Sequence, residues 1–326
     1  MKAAKFLGVA AIACLIVLAC AWGTLAIYLG GNGGGGARII VAVAFVALSI
    51  AAWLFGPRRK LLRLIWLGAF CGVIGWFVSI RPSQNRNWKR EVAELPRVHI
   101  DGDRISIASC RNFSYRSRDD FDVKYATREF SLSHLAGVDL FISYWEEGPM
   151  AHTFLSFRFD NAEPLCVSIE ARPEQGESFA ALPSLFKRFE LIYVVGDERD
   201  IVRVRTNHRG EQVYLYPITV SAETARRLFL VYAEKINRLA DKPVFYHLLK
   251  NNCTANIVYN AREAGQKKIF DFRFVLNGLV DRYLYEAGLV DRSLPFADLR
   301  EKSRITEAAK SAELDNFSQN IRRPKE

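Results

Sequence analysis

Three long apolar runs near the N-terminus are the feature that most constrains this chain of 326 residues. The runs extend from Phe6 to Leu29, from Ile39 to Phe55 and from Leu64 to Ile80. Each reaches or nearly reaches the length that crosses about 30 Å of hydrocarbon at about 1.5 Å per helical residue. The sequence therefore predicts three transmembrane helices, followed by a soluble part.

The charged residues are unevenly distributed along the chain. Residues 1–81 contain eight Lys or Arg and no Asp or Glu, and removing them from the totals of 45 and 35 leaves 37 basic and 35 acidic residues from Pro82 onward. The soluble part is therefore almost neutral. The excess of basic residues that raises the pI to about 9.4 lies almost entirely in the membrane part. A high pI would otherwise suggest nucleic acid as a partner, and this distribution excludes it.

The positions of the basic residues predict the orientation, because cytoplasmic loops carry an excess of Lys and Arg. Lys2 and Lys5 precede the first run, and a second cluster separates the second and third runs: Arg58, Arg59, Lys60 and Arg63. An odd number of spans then places everything after Arg81 on the other side, although basic residues just beyond it oppose this mildly. We predict a multi-pass protein of the bacterial inner membrane with its C-terminal domain in the periplasm.

A cleaved signal peptide is the competing interpretation of the first run. Lys2 and Lys5 form a positive n-region, and Val17 to Cys20 loosely resembles a lipoprotein cleavage box. The apolar run continues well beyond Cys20, however, and two further runs follow it. We therefore favour a membrane span over a signal peptide.

The sequence divides into a three-span region (1–81), a linker (82–97), a soluble domain (98–300) and a frayed or disordered tail (301–326). Ser221 is a good helix N-cap, and a second helix begins near Cys253 and ends at Gly265. The β-rich runs predict an antiparallel or mixed sheet in an α+β domain. They are Val98 to Ala108, Val138 to Trp145, His152 to Phe159, Leu165 to Ala171, Leu191 to Val195, Ile201 to Arg205 and Gln212 to Thr219.

Six cysteines are split evenly between the two parts of the chain. Cys14, Cys20 and Cys71 lie within the apolar runs, where a small apolar role is the simplest interpretation. The other three, Cys110, Cys166 and Cys253, cannot all pair within one chain. In an oxidising compartment a disulfide between Cys110 and Cys166 is the natural pairing, and it leaves Cys253 as a reactive thiol.

The string Asn251-Asn252-Cys253-Thr254 carries the most specific chemical signal in the soluble part. Two polar, cap-forming asparagines place the cysteine at a helix start, where the positive end of the helix dipole lowers a thiol pKa. The alternative is a buried, inert cysteine. We expect Cys253 to be a nucleophile.

A thiol nucleophile needs a base, and five histidines are available. His152 follows Gly148-Pro149 and begins an apolar strand, as the imidazole of papain-like folds does, so we assign it as the base. The rivals lie in loops or local turns or offer no comparable context: His99, His134, His208 and His247. His152 precedes Cys253 in the chain, which is the order of circularly permuted papain-like proteins.

For the group that orients the imidazole, we expect Glu170 on the next strand, with Glu174 as the second choice. The alternative is that Glu170, Arg172 and Glu174 form a surface ion-pair cluster of little energetic weight. The chain has no C-x-x-C or H-x-x-x-H spacing, no G-x-S-x-G elbow, no Walker loop and no dinucleotide fingerprint. The sequence therefore predicts no metal and no cofactor.

Several separated strings, in one order, resemble the Lnb N-terminal periplasmic domain family between about Trp88 and Arg300. The final string has Asn277 where a proline is more usual. The strings are AHTFLSF from Ala151, SIEARPEQGE from Ser168, LIYVVGDERD from Leu191, VYLYP from Val213, NCT from Asn252 and NGLVDRYLYEAGL from Asn277.

The resemblance implies a permuted papain-like (NlpC-type) domain with a His and Cys pair at His152 and Cys253. It implies a membrane-anchored thiol acyltransferase, or a hydrolase, that acts on a membrane lipid or lipoprotein through an acyl-thioester. Two alternatives stay open, namely a peptidoglycan amidase or peptidase, and a non-catalytic membrane-tethered binding module. The three spans precede the domain here, whereas in Lnb the membrane part lies mainly behind it.

Overall fold

The computed structural model describes residues 2–31, 35–54, 59–146, 148–266 and 271–323. Parts of the glycine-rich turn and of the basic loop, and the last three residues of the predicted tail, lie outside these described residues. The chain forms two compact units. The first comprises Met1–Ser83 and Phe179–Glu190, and the second comprises Gln84–Ser178 and Leu191–Glu326.

The first unit contains three apolar helices, α1 (Lys2–Leu29), α2 (Gly35–Trp53) and α3 (Arg59–Ser79). All three are long and apolar enough to cross a membrane. Their outer faces expose large apolar side chains, as a lipid-facing surface does, whereas Phe45 and Trp66 pack between them. The prediction of three apolar helices ahead of the domain is confirmed.

The second unit is built on one large mixed sheet, in which β1 is followed by β2, β9, β8, β7, β6 and β10, with β5 paired to β2. Six strand pairs are antiparallel, namely β1–β2, β2–β5, β3–β4, β6–β7, β6–β10 and β7–β8, and β2 pairs in parallel with β9 at Arg111 and Gly196. The predicted α+β class with a mixed sheet is confirmed. The strands are β1 (Arg97–Asp101), β2 (Arg104–Arg111), β3 (Ser114–Tyr115), β4 (Phe121–Asp122), β5 (Tyr125–Ser131), β6 (Leu135–Tyr144), β7 (His152–Phe159), β8 (Leu165–Arg172), β9 (Glu190–Asp197) and β10 (Gln212–Pro217).

Helices cover this sheet and close its core. The Ser221 side chain caps α5 by accepting from the Thr224 N–H at 3.2 Å, as the sequence predicted. The second predicted helix begins at Cys253, and Gly265 follows it at φ +100°. The helices are α4 (Glu198–Ile201), α5 (Ala222–Asp241), α6 (Cys253–Glu263), α7 (Val280–Glu286), α8 (Phe296–Ser303), α9 (Thr306–Ser311) and α10 (Phe317–Asn320).

Two of the predicted strands are wrong. The run from Val98 to Ala108 is a hairpin, because Gly102 adopts φ +57° and turns β1 back onto β2. The run from Ile201 to Arg205 is the end of α4 followed by a π-helix at Val204–His208. Its apolar residues are buried on a helical turn, and a short apolar run does not distinguish that arrangement from a buried strand.

The segments predicted as linker and tail are both packed on the second unit. In residues 82–97, the buried Trp88 lies under the Arg172 guanidinium at 4.2 Å. The segment after Arg300 forms α9 and α10, and Phe317 joins the hydrophobic core. The prediction of a frayed end failed because the apolar residues of this segment are few and widely spaced, yet four of them lie in the hydrophobic core: Ile305, Ala309, Phe317 and Ile321.

The expected disulfide between Cys110 and Cys166 is not formed, and both thiols are free and buried. Cys110 lies on β2 and Cys166 on β8, with β9 between them in the sheet. Two strand spacings amount to about 9.6 Å, which exceeds the Cα separation of about 7 Å that a disulfide can bridge. Sheet order therefore excludes the pair.

Candidate active site

Cys253 is the first residue of α6 and is buried, with 2% of its surface exposed. Its position is fixed by Asn252, whose side-chain oxygen accepts from the Ala255 N–H at 2.8 Å. The Asn252 amide nitrogen in turn donates to the Leu248 carbonyl. The cap leaves the thiol at the positive end of the helix dipole.

His152 at the start of β7 forms a hydrogen bond with Cys253 and sets the ionisation of the thiol. Burial by itself raises the pKa of Cys253. The positive charge and hydrogen bond of His152, with hydrogen bonds from Thr153, outweigh that effect and lower the pKa to about 6. A free thiol has a pKa of about 8.5, so the site favours the thiolate form of Cys253 at neutral pH.

Ser168 on β8 connects His152 to Glu170. Its Oγ lies 2.7 Å from His152 Nε2 and donates to Glu170 Oε1, also at 2.7 Å. A carboxylate can only accept, so the Ser168 proton points to Glu170 and its oxygen accepts from Nε2–H. This arrangement leaves Nδ1 as the ring nitrogen that exchanges a proton with Cys253.

Glu170 is held as a carboxylate by the cations around it. Burial opposes its ionisation, but Arg205, His152 and Arg209, with the hydrogen bond from Ser168, keep the pKa of Glu170 well below its usual range. Arg205 donates to Glu170 Oε1 at 2.7 Å from the π-helix Val204–His208. Glu170 itself is 3.8 Å from His152 Nε2, so its effect passes mainly through Ser168.

Asn277 approaches the thiol from the other side of the site. Its Nδ2 donates to Cys253 Sγ at 3.5 Å, and its Oδ1 accepts from the Ala151 N–H at 2.8 Å. The adjacent Gly278 donates to the Pro149 carbonyl at 2.9 Å, and a Cβ there would approach that carbonyl carbon to 2.8 Å. These contacts hold the turn that carries Asn277 against the residues just before His152.

A cavity of about 480 Å³ reaches the chain neighbours of the two site residues, Thr153 beside His152 and Thr254 beside Cys253. Thr153 and Thr254 line its wall, their hydroxyls are 2.8 Å apart, and Thr254 Oγ1 is 3.9 Å from Cys253 Sγ. The rest of the lining is mostly aliphatic and comes from β6, β7, α5, α6 and α7, with members that include Leu140, Leu155, Leu228, Ile257, Val258 and Leu284. The structure therefore has an apolar cavity whose wall includes the residue next to Cys253.

The rival histidines lie in other environments. His134 pairs with Asp160 at 2.5 Å, and His208 packs against the ring of Tyr115. His247 forms an isolated bridge with Asn251, and His99 is an exposed residue of β1. The structure brings His152, Cys253 and Glu170 together and does not bring these four histidines into the hydrogen-bond network of His152.

The interpretation of Glu170, Arg172 and Glu174 as a surface ion-pair cluster is wrong. Arg172 is buried, with 2% exposure, and donates to the Val92 and Ala93 carbonyls. Glu174 forms an isolated bridge with Trp88 and lies 3.8 Å from Arg86. Glu170 alone of the three turns toward His152.

Sequence reasoning missed three members of this arrangement. Ser168 precedes Glu170 by two residues, and this period-two spacing on one strand was a usable signal. Arg205 was assigned to a strand, and no local pattern connects it to Glu170. Asn277 was noted as an unusual residue, but nothing in the sequence indicated its contact with the thiol.

Within the described ranges, no group of three or more His, Cys, Asp or Glu side chains is placed to hold a metal ion. The arrangement instead offers a buried thiol with a lowered pKa, an imidazole of fixed tautomer, a neutral amide donor at the sulfur and an apolar cavity. These are the parts that nucleophilic acyl transfer requires.

Comparison with known proteins gives one match. Residues 121–279 match the family model described as the Lnb N-terminal periplasmic domain. The matched range begins at β4 and ends just after Asn277, so it includes every residue of the arrangement described above. No curated protein and no solved structure matches the chain.

Proposed function

Because this chain belongs, through residues 121–279, to the family of Lnb N-terminal periplasmic domains, we propose that it is a thiol acyltransferase or lipid hydrolase. Its substrate is a membrane lipid or lipoprotein, and its nucleophile is Cys253. The observation that carries the proposal is a thiol whose pKa is lowered to about 6 beside an apolar cavity of about 480 Å³.

The location of the substrate follows from the membrane part and the family. The family description is periplasmic, and the apolar helices anchor such a domain to the inner membrane. We propose that all three helices cross the bilayer. A membrane-held site can act on lipid-anchored substrates without extracting them into water, where the exposure of their acyl chains is costly.

In the first half of the reaction, the Cys253 thiolate attacks the carbonyl carbon of an acyl ester. The negative charge that develops on the carbonyl oxygen is stabilised by the amide N–H groups of Asn277. The C–O bond breaks, and the leaving alkoxide takes the proton from Nδ1 of the His152 imidazolium. The products are an alcohol and an acyl-thioester on Cys253.

In the second half, an amine or a water molecule attacks the thioester carbonyl. His152, now neutral, removes a proton from the attacking group, and the C–S bond breaks to regenerate the thiolate. Ser168 and Glu170 keep the imidazole in the tautomer that presents Nδ1 to both steps. An amine acceptor gives transfer, and water gives hydrolysis.

The cavity favours an acyl substrate over a peptide. Its walls are mostly aliphatic, and its volume falls in the range of roughly 300–1,000 Å³ that small-molecule pockets have. A peptidoglycan stem peptide carries many charged and amide groups, and those buried against the aliphatic wall would lack hydrogen-bond partners, at a cost of about 1–3 kcal/mol each. A saturated acyl chain has no such cost.

The test uses the full-length protein with vesicles that contain a diacylglyceryl lipopeptide with a free amine. Mass spectrometry should show an acyl group moved to the amine or released, and Cys253→Ala and His152→Ala should abolish the change. Cys71→Ala, which removes a thiol in α3, is the matched control and should retain it.

Purified sacculi, incubated in parallel, identify the alternatives. Release of stem peptides from sacculi with an unchanged lipopeptide would support the amidase instead. If neither substrate changes, the acyl-transfer proposal fails and a non-catalytic module is supported.

A further inference from the structure

The segment Phe179–Glu190, which we call the 179–190 segment, connects β8 to β9 but belongs to the compact unit of the apolar helices. Its central part contains a short 3₁₀ turn, Pro183–Leu185. The Phe186 ring meets the Phe77 ring of α3 edge-on, with centroids 6.3 Å apart. The 179–190 segment therefore packs on the apolar helices of its own compact unit.

Lys187 fixes the segment at the end of α3. Its Nζ donates to the carbonyls of Phe77 at 2.8 Å, Val78 at 3.3 Å and Ile80 at 3.2 Å. The last carbonyls of a helix have no intrahelical partner, and a cation there is favoured by the helix dipole. Lys187 adopts φ +56°, a left-handed conformation that its side-chain contacts hold in place.

Arg188 makes the corresponding contact with the end of α1. Its guanidinium donates to the Gly31 carbonyl at 3.0 Å, and Arg38 at the start of α2 donates to the same carbonyl at 2.9 Å. The 179–190 segment thus contacts the ends of two apolar helices through consecutive basic residues. Both contacts lie at the same end of the helices, the end we assign to the periplasm.

These contacts define the depth of the segment. Helix α3 has 21 residues, which at about 1.5 Å per residue span roughly the 30 Å of a bilayer hydrocarbon core. The Lys187 ammonium lies at the carbonyls that end this helix, so it lies at the boundary between hydrocarbon and headgroups. Lys and Arg occupy this boundary in membrane proteins because the charge reaches water while the stem stays apolar.

Two large apolar residues of the same segment are exposed. Phe179 is 46% and Leu182 is 48% exposed. Val78, near the end of α3, is also exposed, at 63%. Exposure of these apolar side chains to water costs free energy, whereas at a bilayer surface they are buried among acyl chains.

We propose that the 179–190 segment is an interfacial membrane anchor, with Phe179 and Leu182 inserted into the outer leaflet and Lys187 and Arg188 at the level of the phosphate groups. Its partner is phospholipid. The basic charge of this unit fits an anionic lipid surface, because residues 1–81 contain no acidic side chain. The 179–190 segment adds one, Glu190, whose carboxylate accepts from the Ser83 N–H at 3.0 Å. The inference does not depend on the chemistry of Cys253.

The test is photo-crosslinking in the full-length protein, reconstituted in vesicles of phosphatidylethanolamine and phosphatidylglycerol. A p-benzoylphenylalanine is placed at Leu182 or, in a second variant, at Phe179. Leu182 is 48% exposed, and at Phe179 the new side chain keeps an aromatic ring where Phe179 faces Phe189 at 5.9 Å between centroids. A third variant at Leu15 of α1, 64% exposed, is the positive control for lipid contact. A fourth at Val123, 41% exposed and in the second unit, is the matched control.

After irradiation, mass spectrometry of the labelled peptides identifies the adducts. We expect phospholipid adducts at Leu182 and Phe179 at a yield comparable to Leu15 and at least five-fold above Val123. Adducts at Leu15 without adducts at Leu182 and Phe179 would overturn the inference. Adducts at Val123 as abundant as those at Leu182 would also overturn it, because lipid contact would then not distinguish the segment.

Discussion

The hydroxyl of Ser168 lies 2.7 Å from Nε2 of His152 and donates a hydrogen bond to Glu170 Oε1. A serine therefore stands between imidazole and carboxylate, where many triads have a direct contact. The consequence is a fixed tautomer, because the Ser168 oxygen can only accept from Nε2–H while its proton is engaged. Removing the hydroxyl should free the ring to rotate and to exchange tautomers.

We expect Ser168→Ala to slow acylation of Cys253 by roughly ten- to a hundred-fold, since a hydrogen bond to a charged group contributes about 1.5–3 kcal/mol. The measurement is the rate of Cys253 labelling by an activated acyl ester across pH 5 to 9. Ser156→Ala is the matched control, because Ser156 is also fully buried and donates to a carboxylate, Glu198, at 2.5 Å. Equal effects of the two variants would show that Ser168 has only a structural role.

Glu170 and Glu174 provide a test of which carboxylate supports the imidazole. Glu170→Gln should slow labelling of Cys253 about ten-fold and lower Tm, because Arg205, 3% exposed, loses the carboxylate that balances its buried charge. Glu174→Gln is expected to leave the labelling rate unchanged. The two variants are compared by labelling kinetics and by thermal unfolding.

The pH dependence of this pair has a defined sign. The pKa of Glu170 is depressed in the folded state, so its stabilising contribution is complete above the usual carboxylate pKa and is lost as pH falls below it. The difference in Tm between the wild type and Glu170→Gln should therefore shrink as pH falls below about 4. A difference that grows at acid pH would contradict the assignment.

Ala261 lines the cavity beside α6 and allows a test of the acyl site. Ala261→Phe should fill part of the volume and exclude long chains, while Cys253 and His152 keep their positions. The measurement compares labelling of Cys253 by a hexadecanoyl and an acetyl ester of the same leaving group. The ratio of the two rates should fall at least ten-fold. Parallel loss of both rates would indicate damage to the site itself.

Arg322 tests the packed C-terminal segment. Its guanidinium binds Asp139 at 2.7 Å and Glu198 at 2.5 Å, and both carboxylates are buried. Arg322→Met should destabilise the second unit by about 3–5 kcal/mol, because the buried Glu198 loses its cation and the buried Asp139 keeps only Arg158. Arg323→Gln alters the neighbouring arginine and should leave Tm within error. Thermal unfolding that is unchanged by Arg322→Met would contradict the packed end.

The sequence allowed prediction of what local patterns encode. The apolar runs, the Ser221 cap and the helix start at Cys253 depend on neighbours within a few residues. Strand alternation likewise placed His152 and Glu170 on adjacent strands, which pair in the predicted order. The period-two pattern of the strands thus led to two of the three proposed site residues, His152 and Glu170, and the helix cap led to the third, Cys253.

What the sequence could not reveal depends on long-range packing. Arg205 reaches Glu170 only because Val204–His208 winds as a π-helix, and its apolar neighbours resemble a strand when viewed locally. Asn277 contacts Cys253 because the neighbouring Gly278 N–H donates a hydrogen bond to the Pro149 carbonyl. In the sequence, Phe317 and Arg322 lie in a polar tail without an apolar or acidic pattern around them. Their partners, the hydrophobic core and two buried carboxylates, come from distant parts of the chain.

The central claim is that Cys253 is a thiolate because of His152, and its reactivity as a function of pH tests this most directly. Full-length protein is treated briefly with iodoacetamide between pH 4.5 and 9.5, and modification of the Cys253 peptide is quantified by mass spectrometry. Cys110 is an internal control, because burial raises its pKa to about 12 and it should stay unmodified.

We expect the rate at Cys253 to rise with pH to a plateau with a midpoint at about pH 6. In His152→Ala the midpoint should move above about 8.5, because burial is then no longer outweighed. His134→Ala, at a histidine outside the site, should leave the midpoint at its wild-type value. A wild-type midpoint near 8.5, or one that His152→Ala does not move, would contradict the account.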